Sequence, residues 1–287
     1  MIKVSKDIIQ ELYPERPPEV KKYDYGLMLV IGGGEFYSGS PALVALAGFR
    51  AGVDMVRVIA PKRAADIIAS FTPVLAAFPL EGTHLNQTHL ANLIGMTESA
   101  KDVSHGKVSV VIGGGLGRSQ ETQETILQYL SRTNVPVVID ADAIHAIAKN
   151  PEVLEGKPFL ITPNTYELTL LGGKDIRPME LEARVQEVQA IAAKLKTTLV
   201  VKVKTDIISN GEDVLIDETG SPFLSVGGAG DTMAGIAGAL LARGVSPMNA
   251  GAGAAYINGR AGQIAGKKFG ESLVATDIID SISEAIR

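Results

Sequence analysis

The chain contains no cysteine, which excludes a disulfide framework, a thiolate zinc site and a cysteine nucleophile. It has no tryptophan and only 5% aromatic residues, too few for an aromatic-stacking nucleic-acid surface. Basic residues never cluster among aromatics and the formal net charge is −5, so a nucleic-acid partner is not expected. Glycine or charge interrupts every apolar run before it reaches membrane-spanning length, and membrane contact is not expected either. The opening MIKVSKDIIQEL lacks the long apolar stretch of a secretory signal, which makes the cytoplasm the expected compartment. The four histidines show no metal-site spacing, and His84 and His89 read as surface residues in a polar stretch. With 287 residues, no internal repeat and no low-complexity linker, residues 1–287 are expected to form a single domain.

What is present is an alternation. Leu27–Ile31, Met55–Ile59, Val108–Ile112, Val135–Ile139, Phe159–Ile161 and Leu199–Val203 are short, nearly continuous apolar runs, as expected of parallel strands covered on both faces. Between them lie helical patterns at Pro41–Ala51, Ala64–Ser70, Gln87–Met96, Gln120–Leu130 and Met179–Leu195. Ser40 reads as an N-cap with Pro41 at the first helical position. Asp206–Ser209 and Val214–Ile216 flank Asn210-Gly211 and predict a hairpin. Two further helices are expected over Ala229–Arg243 and Pro247–Ala265; the glycines of the second point to close helix packing. The order predicts an α/β fold, a doubly wound, mostly parallel sheet with helices on both faces. Ligands in such sheets lie beyond the carboxyl ends of the strands.

The most informative segment is Ser225–Gly235, SVGGAGDTMAG. Gly227, Gly228 and Gly230 lead into Asp231 at a predicted helix start, where exposed N–H groups and the helix dipole form an anion pocket. Glycines there let the backbone close on a phosphate. A carboxylate is a poor phosphate ligand but can take a proton from a hydroxyl in phosphoryl transfer. Taken alone, the string reads more readily as a Gly-rich helix entry with Asp231 as cap.

Other candidates fall at strand ends. Ile31–Gly39 (IGGGEFYSG) and Ile112–Arg118 (IGGGLGR) are Gly-rich turns; neither has the spacing of a dinucleotide-binding fingerprint, so a conventional hydride-transfer site is not supported. In VIDADA, Asp140 and Asp142 follow a strand; one reads as a helix cap, the other as facing phosphates through a metal or water. In TPNTYE, Asn164 and Glu167 share a helical face, which suits either hydrated Mg²⁺ near phosphates or a capping box. Lys202 emerges from the apolar run LVVKV and needs a partner, a phosphate or a carboxylate. Lys204 is expected on the same face.

Taken in order, YPERPPEVKKYDYGLMLVIGGGEFYSGSPALVALAGFRAG, IGGGLGR, VIDADAI, TPNTYEL, VVKVKTDIISNG and SVGGAGDTMAGIAGALLARG resemble the ribokinase-like superfamily. Within it they resemble the stand-alone NAD(P)H-hydrate dehydratases. The resemblance implies a ribokinase-like fold, often tetrameric, and a lyase that uses ADP (or ATP) with Mg²⁺ to dehydrate (S)-NAD(P)H-hydrate. It implies a functional link to an NAD(P)H-hydrate epimerase, expected as a separate chain. Carried over by position, Ser40, Gly117, Asn164 and Asp231 match the hydrated-cofactor site, with Asp231 catalytic. Lys202, Asp206, Gly228 and Gly230 match the nucleotide site, and Glu167 is the candidate for touching a metal through water. The chain departs from the family's common TPHPGE, its Lys-Gly and its usual Ala, having TPNTYE, Lys202-Val203 and Ser40. The N-x-x-E form and GAGDT look more like sugar and vitamin kinases, so a small-molecule kinase is the alternative. A non-catalytic nucleotide sensor is a third reading, disfavoured because a pure phosphate binder gains nothing from Asp231.

Overall fold

The computed structural model describes residues 1–287. The first half runs β1 (Ile2–Lys3), α1 (Asp7–Leu12), β2 (Leu27–Ile31), α2 (Gly39–Arg50), β3 (Met55–Pro61), α3 (Lys62–Phe71), β4 (Ala76–Leu80), α4 (Leu90–Val103), β5 (Val108–Ile112), α5 (Gln120–Arg132) and β6 (Val137–Ile139). The second half runs α6 (Asp142–Ile147), β7 (Phe159–Ile161), α7 (Thr165–Leu170), α8 (Leu181–Leu195), β8 (Thr198–Val201), β9 (Asp206–Ser209), β10 (Val214–Asp217), α9 (Ala229–Ala242), α10 (Pro247–Phe269) and α11 (Ala275–Ala285). All ten strands form one sheet in the order β1-β10-β9-β8-β7-β6-β5-β2-β3-β4. From β4 across to β8 every pairing is parallel; only β9 runs against its neighbours.

β2, β6 and β7 are apolar at every position because both faces are covered. In β2, Met28 and Val30 enter the core under α2, α9, α10 and α11, while Leu27, Leu29 and Ile31 enter the core under α4–α8. α9 is apolar nearly all round, as a helix enclosed by sheet and neighbouring helices must be. It packs along α2 so closely that a Cβ at Gly235 would lie 2.3 Å from the Val44 carbonyl oxygen. Glycine is what permits this backbone-to-backbone approach.

β2 has β3 on one side and β5 on the other, so the strand order reverses there. The crevice beyond the carboxyl ends of β2 and β5 is where this topology places ligands. The two Gly-rich turns meet there, the Gly33 amide donating to the Gly114 carbonyl at 2.8 Å.

Several local expectations change. Ser40 is not the cap of α2: the helix starts at Gly39 after Ser38, and Ser40 turns its hydroxyl across to Asp231 instead. β6 is confined to Val137–Ile139 and β8 ends at Val201, which leaves Lys202 just past the strand. His89 is buried rather than on the surface; its ring accepts from the Asn86 amide and meets the Glu81 carbonyl oxygen. β1, β4 and α11 lie outside the sequence expectation.

Candidate active site

Asp231 stands in the first turn of α9, three residues inside the Gly228 N-cap. It caps nothing: no side-chain bond closes this helix start. Gly228 has φ +95°, a left-handed conformation that disfavours other residues. The amides of Gly228, Gly230 and Asp231 have no protein acceptor, so the positive end of α9 is open to an anion. The Ser40 hydroxyl donates to one Asp231 oxygen, and the Gly114 turn closes on the pair: a Cβ there would be 2.0 Å from Ser40 Oγ. Burial pushes the Asp231 carboxyl up to about 6; the Ser40 bond opposes this, the Asp140 charge reinforces it and Lys202 opposes it. At neutral pH the group is therefore an ionised base whose affinity for a proton is well above that of an exposed aspartate.

Lys202 supplies the opposing charge. Its Nζ donates to Asp140 Oδ1 at 2.8 Å, and the Thr162 hydroxyl donates to the same oxygen at 2.6 Å. Burial pulls the ammonium down, but Asp140, Glu167 and Asp231 together outweigh it and hold it above the usual lysine value. Of the two partners the sequence allowed for Lys202, the carboxylate is the one present. A Cβ at Gly230 would sit 3.3 Å from its Nζ, and Lys202, Lys204, Asp206 and Gly230 line a cavity of about 620 Å³. Pro222, Leu224 and Met233 give that cavity an apolar wall. Asp206 opens β9 and accepts the Val203 amide at 2.8 Å. Burial raises its carboxyl to about 7, against that bond and with help from Asp217, its partner across the β9–β10 pair.

The remaining candidates divide. Gly228 is not part of the cavity wall; a Cβ there would strike Leu43 and Ala275, so the residue shapes the α9 entry. Gly117 stands on the outer rim, its amide donating to Asp142 Oδ2 at 2.9 Å. Neither Asp140 nor Asp142 caps α6; Asp140 pairs with Lys202, and Asp142 pairs with Arg118. Asn164 and Glu167 form a reciprocal capping box at the start of α7. Glu167 Oε2 accepts the Asn164 amide at 2.8 Å, leaving Oε1 free. Asn258, which lines the cavity and bonds to Thr232 and to the Ala229 carbonyl, was hidden in the sequence within the Gly/Ala stretch of α10.

A donor-rich helix start, a desolvated carboxylate and an ammonium around one crevice are groups chemically suited to phosphoryl transfer. With the sheet order, this defines a ribokinase-like α/β protein. A family model described as NAD(P)H-hydrate dehydratase matches residues 28–284, and the chain belongs to that family. It is 30% identical over 284 residues to the ADP-dependent (S)-NAD(P)H-hydrate dehydratase of Cenarchaeum symbiosum, covering 99% of this chain and 96% of that protein. It is 36% identical over 274 residues to the bifunctional NAD(P)H-hydrate repair enzyme of Pyrobaculum aerophilum, covering 95% of this chain and 52% of that one. The chain thus spans about half the length of the bifunctional relatives it matches. In fold it is similar to the ADP/ATP-dependent NAD(P)H-hydrate dehydratase of Bacillus subtilis, crystallised with ATP and Mg²⁺. That match has a TM-score of 0.81 at 21% identity and covers 99% of this chain and 97% of the other.

Proposed function

We propose that this chain is an ADP- or ATP-dependent (S)-NAD(P)H-hydrate dehydratase, a lyase that restores hydrated nicotinamide cofactor. The observation that carries the reading is the placement of Asp231. It is a raised-pKa carboxylate at an amide-lined helix start, with Ser40 on one side and Lys202 toward the cavity on the other. The nucleotide occupies the cavity of Lys202, Asp206 and Gly230, with Gly228 shaping the turn that receives its phosphates. The hydrated ring lies over Ser40, Gly117 and Asn164.

Hydroxide is a poor leaving group and phosphate a good one. Asp231 takes the proton of the substrate hydroxyl as its oxygen attacks the terminal phosphorus, and the bond from that phosphorus to AMP (or ADP) breaks. The open amides of Gly228 and Gly230 and the Lys202 ammonium stabilise the charge on the transferring group. The ring-nitrogen lone pair then expels phosphate, and loss of a proton from the adjacent carbon restores the ring double bond.

No group of three His, Cys, Asp or Glu side chains converges to hold a resident metal, so the residues suit Mg²⁺ carried by the nucleotide. Glu167, whose Oε2 alone is taken by the Asn164 amide, is the residue that would touch such an ion through water. When bound, Mg²⁺ neutralises phosphate charge. The same reading makes residues 1–287 one ribokinase-like domain of a cytoplasmic homotetramer, working beside NAD(P)H-hydrate epimerase.

The test is incubation of hydrated NADH with Mg²⁺ and either ADP or ATP. Nucleotide-dependent return of the dihydronicotinamide absorbance is expected and names the donor. No return, in protein that still binds nucleotide, sinks the reading and leaves kinase action on a small-molecule hydroxyl.

A further inference from the structure

The start of α9 lacks the common means of holding a helix end in place. A side chain at the N-cap usually does so, by accepting an amide of the first turn. Gly228 has no side chain for this, and the amides of Gly228, Gly230 and Asp231 stay open. The polar tie comes instead from the carbonyl side, out of α10. Asn258 is 3% exposed, in a helix buried at every residue from Ala250 to Gly259. Its Nδ2 donates to the Ala229 carbonyl at 3.3 Å, and its Oδ1 lies 2.6 Å from the Thr232 hydroxyl oxygen. The fully buried Thr232 hydroxyl also reaches the Ala229 carbonyl, at 2.7 Å. A carbonyl can only accept, so the amide turns its nitrogen to Ala229 and its oxygen to Thr232. The two residues it grips bracket Gly230 and Asp231 in the chain.

We propose that Asn258 is a positioning residue for phosphoryl transfer. It holds the uncapped first turn of α9 by a carbonyl, so that the amides stay free for the transferring phosphate and Asp231 keeps its direction. The inference rests on the dehydratase reading and deepens it. A capping side chain would fix the same turn only by occupying amides that the phosphate needs. A donor from α10 fixes it without taking any of them. From α2, the Ser40 hydroxyl ties Asp231 itself, so the carboxylate is held between two helices. The neighbouring Gly259 gives α10 a second hold on the site: a Cβ there would lie 2.1 Å from the Thr219 hydroxyl oxygen, and both residues line the nucleotide cavity. α10 thus joins the wall of that cavity to the start of α9. Asn258 lines the cavity as well, and direct contact with the nucleoside is the rival role that a test must separate.

The test uses Asn258→Leu, which keeps the side chain's size and adds no charge, and measures affinity for ADP and for adenosine by calorimetry. A displaced first turn misplaces amides that only the phosphates touch. ADP is therefore expected to bind about tenfold more weakly while adenosine binds as in wild type. Turnover of hydrated NADH at saturating ADP is expected to fall about a hundredfold. Asn258→Ala, an ordinary residue in this alanine-rich helix, gives the same readings should the leucine variant not fold. Arg243→Met, at the far end of α9, is the comparison for lost stability and is expected to leave both affinities unchanged. Unchanged affinities in the Asn258 variants overturn the proposal by making the residue purely structural. Equal losses for ADP and adenosine overturn it by making the residue a contact of the nucleoside. If wild type binds ADP but does not dehydrate hydrated NADH, the dehydratase reading fails separately, and the two affinities still decide the role of Asn258. Absence of ADP binding in wild type overturns the proposal.

Discussion

α9 has a buried charge near each end, and the two are treated in opposite ways. At its carboxyl end Arg243 donates to the Gly52 and Leu12 carbonyls at 3.2 and 3.0 Å. Its guanidinium lies over the rings of Tyr13 and Tyr25, 4.7 and 4.9 Å from their centroids. At the amino end Asp231 has one hydroxyl partner, unpaired amides beside it and a carboxyl raised to about 6. The first charge is held by carbonyls and rings of the fold, with only its Nε unpartnered; the second has a single hydroxyl and is left in want of more. Burial alone therefore does not mark a functional group. Burial without compensation does, because the missing interactions are those a ligand brings.

That contrast can be broken by substitution. The largest effect expected is that of Asp231→Asn, which should cut turnover about a thousandfold while calorimetry finds ADP binding retained; near-normal turnover would remove Asp231 as the base. Lys202→Met should leave Asp140 buried without its cation, lower stability by about 3 kcal/mol in urea unfolding and weaken ADP binding. Unchanged affinity would show that the ion pair is only structural. Arg243→Met should cost about 2 kcal/mol through lost carbonyl and ring contacts yet leave kcat near wild type; a large fall in kcat would erase the distinction between the two ends.

The smallest effect has the opposite sign. Asp231 is raised from an ordinary value of 3.8 to about 6, so its favourable share of stability is present in acid and is lost as pH rises through 6. Asp231→Asn should accordingly be more stable than wild type at pH 7, by on the order of 1 kcal/mol. The gain should fade as pH falls below 6, where the wild-type group takes up its proton. Taking the difference between variant and wild type separates this from Asp206, which titrates near 7. A loss of stability at pH 7 would mean that Asp231 is as well compensated as Arg243.

The layered sheet was legible because β2 and β7 are apolar at every residue and β5 at all but Ser109, a pattern that only strands covered on both faces sustain. β4 was not legible: it is a sheet edge, mostly exposed and interrupted by Pro79. β1 is two residues long and carries no period. In the candidate site, glycines and charges at strand ends pointed to segments that the fold brings together, but pairings between distant segments stayed hidden. Ser40 meets Asp231 across 191 residues and Lys202 meets Asp140 across 62, and no local spacing encodes either contact. Ser40 was misread as a cap because Ser-Pro at a helix start is a strong local signal; the tertiary bond to Asp231 prevailed.

Gly235 has a bearing on how such an enzyme can diverge. It lies one turn along α9 from Asp231, and Val44, whose carbonyl it touches, lies one turn along α2 from Ser40. The interval between Asp231 and its serine is thus set by a residue with no side chain. A single added methyl at position 235 would splay the two helices and separate Ser40 from Asp231 while the sheet beneath remained intact. Lineages that lost the glycine would keep the architecture without the Ser40–Asp231 contact.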